Sequence, residues 1–179
     1  MKLIVIDVQK GIVVDELCNR DGLLANVAKL IETARENGVE VIYVQHDAGK
    51  GTGFSQGDEA FEIADAVAPK PGEKVFVKTI NSAFGNKDFT AYLEASKSDK
   101  LMIVGLQTDF CIDATVKSAF ERGYYPVVPE GAHSTFDNPF MTGERTCEYF
   151  FKMIWADRFA KCVSMDEALV MLRGAEKKA

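Results

Sequence analysis

At 179 residues, with 47% hydrophobic and 27% charged side chains, the chain has the balance of a globular protein with one substantial core, and is short for two. A formal charge of -6, with no basic run longer than the Lys177 and Lys178 pair, argues against a nucleic-acid partner held by phosphate neutralisation and points to small molecules or proteins as partners. The apolar run near Met1 ends at Asp7, too soon for a signal peptide, and no window approaches the roughly 20 apolar residues of a bilayer span, so a cytoplasmic protein without a membrane partner is expected.

Residues 2–6 (KLIVI) read as a buried strand, and Leu23, Leu24, Val27, Leu30, Ile31 and Ala34 recur at helical spacing until Gly38. A second strand over 39–45 (VEVIYVQ) runs into a Gly-rich stretch, 49–57, and a short turn or helix in EAFEIADAVAP before Pro69 and Pro71. The third strand, 74–78 (KVFVK), leads through TINSAFGN to a helix over 87–96, and the fourth occupies 101–104. A helix over 109–122 turns Ile112, Val116, Ala119 and Phe120 inward and closes at Gly123; a fifth strand, 124–128 (YYPVV), follows at once. A helix over 142–156, a short sixth strand in AKCVS and a last helix after Ser164 complete the pattern, with a tail, 174–179, expected to fray. Ser164 and Glu167 have the spacing of a capping box.

Six oily strands joined by helical crossovers imply an α/β fold over one domain, 1–179, with a mostly parallel sheet covered on both faces. Ligands of such sheets bind at the carboxyl ends of the strands, where the connection order reverses. Asp7 ends the first strand, Lys78 ends the third and Cys111 opens the helix after the fourth. Singly, each has a bland reading: a loop cap, a solvated amine and a small buried thiol. Together they are a base, a cation and a nucleophile. A position at a helix start beside an ammonium is expected to lower the thiol pKa, and the same helix start supplies N–H donors for an oxyanion.

The pieces IDVQ (6–9), VFVK (75–78) with SAF (82–84), and GLQTDFC (105–111) followed by IDAT resemble the isochorismatase-like cysteine hydrolase superfamily in order and spacing. That resemblance implies a three-layer, Rossmann-type sandwich around a six-stranded parallel sheet and a triad of Asp7, Lys78 and Cys111. It also implies a cis peptide between Leu106 and Gln107, aiming the Gln107 and Cys111 N–H groups at an oxyanion.

Residues expected to wall the substrate pocket are Gln9, Ile12, Asn81, Phe84, Phe110 and His133, although Phe84 and Phe110 also suit a core. Nicotinamidases of the superfamily carry an Asp-x-His and a second His after the second strand, where this chain has QHDAG; His46 reads better as a strand-end hydrogen-bonder or pocket wall, and neither metal nor cofactor is expected. Ile12, where many relatives have an aromatic residue, counts against an aromatic amide such as nicotinamide. In the Gly-rich stretch Lys50 precedes Gly51 rather than Ser or Thr, so a mobile rim loop fits better than a phosphate loop. Cys18, Cys111, Cys147 and Cys162 lie far apart and are expected as free thiols. The helix CEYFFKMIWA is apolar on too many sides for a solvated surface, suggesting a homodimer or larger homo-oligomer.

The resulting expectation is hydrolysis of a small-molecule carbon–nitrogen bond through a thioester. Vinyl ether hydrolysis, as by isochorismatases, and a non-catalytic binding protein of the same fold remain alternatives.

Overall fold

The computed structural model of the protein describes residues 1–96 and 98–174; the end of the tail, from 175, lies outside them. Its frame is a parallel sheet of β1 (Lys2–Ile6), β2 (Glu40–His46), β3 (Lys74–Lys78), β4 (Lys100–Leu106), β5 (Tyr125–Pro129), β6 (His133–Ser134) and β7 (Lys161–Val163). The strand order is β3-β2-β1-β4-β5-β7, with β6 paired to the end of β4. Six strands were expected and seven are present among the described residues, because a two-residue strand is too short to leave any periodicity in a sequence. β4 also runs further than 101–104 suggests, through Gly105 and Leu106, which pair with His133 and Ser134.

Alternation explains why every central strand reads as an unbroken oily run: both of its faces are covered. Leu3 and Val5 of β1, Val41 and Tyr43 of β2, and Met102 and Val104 of β4 pack on α1 (Arg20–Glu36) and α5 (Met165–Arg173) through Val27, Leu30, Leu169 and Leu172. Ile4, Ile6, Ile42, Val44 and Ile103 face the other way, onto Phe89 and Leu93 of α2 (Lys87–Ala95) and Val116 and Ala119 of α3 (Asp113–Glu121). The capping box at Ser164 is formed at the start of α5. Among the described residues no helix is long and apolar enough to cross a membrane.

Three local departures bear on function. The segment after the Gly-rich stretch forms two short 3-10 turns, Glu59–Phe61 and Asp65–Val67, stitched to the chain beyond β1 by Lys10 N to Glu62 O (2.8 Å) and Ala64 N to Val8 O (2.9 Å). The helix expected over 142–156 is α4 (Gly143–Tyr149) followed by a π-helical turn, Phe150–Trp155. Its apolar girth is explained in part by the chain itself: Trp155 is fully buried and Phe150, Phe151 and Ile154 pack against the second core, while Tyr149 and Met153 stay exposed. The helix expected from 109 begins instead with a π-helical turn, Thr108–Ile112, and becomes α-helical only at Asp113.

The chain adds β2 and β3 on one side of β1, then returns to add β4 on the other. The connection order therefore reverses between β1 and β4, and a crevice is expected at their carboxyl ends. Gly105 makes the approach of these two strands possible: its φ is +120°, and a Cβ there would sit 2.0 Å from the Ile6 carbonyl oxygen. No L side chain fits that position.

Candidate active site

Asp7 follows the last residue of β1 and keeps the ladder going through Asp7 N to Val44 O, 2.8 Å. Its φ of 52° is left-handed, a conformation a non-glycine residue adopts at a cost of about 1–3 kcal/mol and that clusters at functional sites. The carboxylate is buried. Lys78, last in β3, sits in register beside His46, last in β2. Only 2% of Lys78 is exposed, although lysine is among the residues least often buried without a partner.

The partners are three. Lys78 Nζ donates to Asp7 Oδ2 at 2.7 Å and to Cys111 Sγ at 3.2 Å, and lies 3.3 Å from His46 Nδ1. Asp7 Oδ1, by contrast, is buried and has no hydrogen-bond partner among the described residues. A carboxylate oxygen of Asp7, a ring nitrogen of His46 and Cys111 Sγ all lie within 4.8 Å of one another, a grouping that has the donor types of a metal site. Their donors converge on the lysine ammonium, which already supplies the positive charge a cation would bring and would repel one.

Cys111 is half-buried in the π-helical turn, where Gln107 O accepts from both Phe110 N (3.2 Å) and Ile112 N (3.0 Å). Single π turns recur at functional sites, where they widen the helix and re-aim a side chain. The peptide bond between Leu106 and Gln107 is cis. Asn81 Oδ1 lies 4.0 Å from the sulfur, at the outer limit for a thiol donor.

Electrostatics correct one expectation. Burial, then the charge of Asp7, pushes the Cys111 thiol up to about 12, against the smaller opposing pull of Lys78. The expected lowering fails because α3 starts two residues later than Cys111 and because the sulfur is poorly solvated. Burial likewise raises the Asp7 pKa, outweighing Lys78 at 2.7 Å. The resting pair is thus a thiol beside a carboxylate with more than ordinary appetite for a proton.

A family model described as the isochorismatase domain matches residues 2–165. The chain belongs to the isochorismatase family. It is 35% identical over 138 residues to the isochorismatase family protein YddQ of Bacillus subtilis (strain 168), a match covering 74% of this chain and 77% of that one. Among solved structures, an isochorismatase from Pseudomonas putida KT2440 is 27% identical with a TM-score of 0.87, over 93% of this chain and 88% of that one. An N-carbamoylsarcosine amidase from Thermoplasma acidophilum is 25% identical with a TM-score of 0.74, over 93% and 98%. Relatives in this family therefore include amidases.

Within this isochorismatase-family frame, the remaining expected wall residues separate. Asn81 Oδ1 lies 4.0 Å from the sulfur, and Phe110, the residue before Cys111, is 51% exposed. Gln9 is fully buried and spends its amide on backbone: its Nε2 donates to His46 O (3.0 Å) and Phe61 O (2.8 Å), and its Oε1 accepts from His46 N (2.8 Å). It braces the site from behind and has no free donor for a ligand. Phe84 belongs to the core, with Phe89 at 5.3 Å and Tyr124 at 5.7 Å, and Ile12 packs half-buried on the other core. His133 is buried between Phe151 (5.8 Å) and Trp155 (5.0 Å), with Nδ1 2.9 Å from Thr108 Oγ1, and lines a separate cavity of about 700 Å³ with Cys18, Glu130 and Cys147. All four cysteines are free.

The reading of His46 as a strand-end hydrogen-bonder agrees with its place 3.3 Å from Lys78 Nζ, a partner that sequence reasoning did not name. One signal was available: both residues end neighbouring parallel strands, so their side chains meet at one rim.

Proposed function

We propose that the protein is a cysteine hydrolase that cleaves an amide-type carbon–nitrogen bond of a small molecule, with Asp7, Lys78 and Cys111 as its catalytic residues. The observation that carries this reading is the state of the Asp7 carboxylate: Oδ2 is pinned by Lys78, the buried Oδ1 has no partner among the described residues, and a carboxylate oxygen of Asp7 lies within 4.8 Å of the Cys111 sulfur.

Asp7 takes the Cys111 proton as the sulfur attacks the carboxamide carbon, so the thiolate exists only as the new bond forms. Lys78 remains 3.2 Å from the sulfur and offsets the negative charge as it moves from sulfur to the substrate oxygen. The N–H groups of Gln107 and Cys111 receive that oxyanion. Collapse breaks the carbon–nitrogen bond, the departing nitrogen takes the proton from Asp7, and a thioester remains. Water, losing its proton to Asp7, attacks the thioester and releases the acid and the Cys111 thiol. Asn81 Oδ1 lies 4.0 Å from the sulfur, and the amidase relative supports the bond type.

Screening small amides for ammonia release finds the substrate class. Intact mass then detects an acyl adduct on the wild type and none on Cys111→Ala; an adduct on the Ala variant refutes the assignment. The family match itself favours vinyl ether hydrolysis as a second reading. Turnover that survives Cys111→Ala but is lost in Asp7→Asn selects it.

A further inference from the structure

A lysine ammonium carries three N–H donors. Lys78 directs them at Asp7 Oδ2, Cys111 Sγ and His46 Nδ1, at 2.7, 3.2 and 3.3 Å. The first two acceptors belong to the chemistry proposed above; the third has no part in it. Yet the fold holds the third as firmly as the others. Gln9 clasps the backbone of His46 from both sides, accepting from its N–H and donating to its carbonyl. The Phe54 ring, delivered by the Gly-rich stretch, lies 6.4 Å from the imidazole. Gly11 makes room for that ring, since a Cβ at Gly11 would stand 2.8 Å from it. Three separate segments thus fix one imidazole against one ammonium.

We propose that His46 is a positioning residue, whose neutral Nδ1 accepts the third N–H of Lys78 and keeps the ammonium centred between Asp7 and Cys111. The inference rests on the reading of Cys111 as nucleophile. An accepting Nδ1 places the ring proton on Nε2. Four groups face the ring: Lys78 favours the neutral form, Asp7 and Asp47 favour the cation, and Cys111 is an uncharged thiol at rest. Burial joins Lys78, and together they hold His46 below the ordinary histidine value. Without the third acceptor the ammonium settles toward Asp7 Oδ2, the shorter and charge-assisted bond, and withdraws from the sulfur. The forming thiolate then loses its counter-charge.

The experiment follows Cys111 directly, without a substrate. Iodoacetamide alkylation is measured against pH in the wild type, His46→Leu and His46→Asn, scoring the peptide that contains Cys111 so that the other three cysteines do not interfere. Asn places an oxygen near the position of Nδ1. The expected result is a rate about tenfold lower in the Leu variant, equivalent to a thiol titration about one pH unit higher, with the Asn variant within about threefold of wild type. A side chain that merely fills space would not distinguish Leu from Asn in this way. His46→Ala, which removes the acceptor without adding bulk, repeats the test should the Leu variant not fold. Acceptor-free variants that alkylate as fast as wild type, or an Asn variant that loses as much as they do, overturn the proposal. Wild type that turns over no amide, with the contrast between acceptor and acceptor-free variants intact, refutes amide hydrolysis and upholds the role of His46.

Discussion

Lys78→Met tests whether the Asp7–Lys78 pair is a stabilising contact or a cost that the site imposes on the fold. The side chains are 0% and 1% exposed and 2.7 Å apart. At an effective dielectric near ~20, Coulomb attraction at that distance is about 6 kcal/mol. Taking each ion out of water costs several kcal/mol, so the two effects roughly cancel. The upward displacement of the Asp7 pKa, with the ammonium in contact, has the same meaning: burial outweighs attraction. Removing one partner should therefore hurt and removing both should not. Lys78→Met and Asp7→Asn are each expected to lose about 3–5 kcal/mol near neutral pH, and the double variant to return to within about 1 kcal/mol of wild type or above it. Urea unfolding followed by the fluorescence of Trp155, the single tryptophan and fully buried, measures all four corners of the cycle. A double variant that loses the sum of the two single losses would show that the groups do not sense each other in solution, and the account of the site would fail with it.

Other expectations are independent of that cycle. Burial holds the His133 pKa down to about 4, below the unfolded value near 6.5, so its contribution to stability is whole above 6.5 and is lost as pH falls toward 4. The wild type should lose about 3 kcal/mol over that window on this account, and His133→Asn should flatten the acid limb of stability against pH. Gly105→Ala places a methyl 2.0 Å from the Ile6 carbonyl at a positive φ, and should cost more than about 4 kcal/mol or abolish soluble expression. Exposed Tyr149 and Met153, one turn apart, and Phe140 at 92% exposure accompany the proposal of a homodimer or larger assembly. Sedimentation velocity reads it, a monomer at micromolar concentration counts against it, and Met153→Glu should weaken any dimer that forms through that face.

The arrangement of strands was legible because a parallel sheet covered on both faces writes itself as short oily runs separated by helical spacing. KLIVI, VEVIYVQ and KVFVK sit within a residue of their strands. Motif order was enough to bring Asp7, Lys78 and Cys111 to one rim, since residues at or just beyond the carboxyl ends of parallel strands share the same edge. Three things were not written locally. β6 is too short to carry a period, and the π-helical turn at Thr108–Ile112 has the composition of an ordinary helix start. The acidity of Cys111 was read with the wrong sign, since helix position and a nearby lysine are visible in a sequence while desolvation by distant segments is not.

By itself, then, the sequence determined which residues end the strands, because hydrophobic period and chain order are local properties. Only the tertiary structure decided which polar groups found partners: it gave Gln9 to the backbone of His46, placed His46 on Lys78, enclosed His133 among aromatic rings and left one oxygen of Asp7 unpaired. The physical reason is that burial and hydrogen bonding are set by atoms from segments tens of residues apart, and their competition fixes where each proton rests.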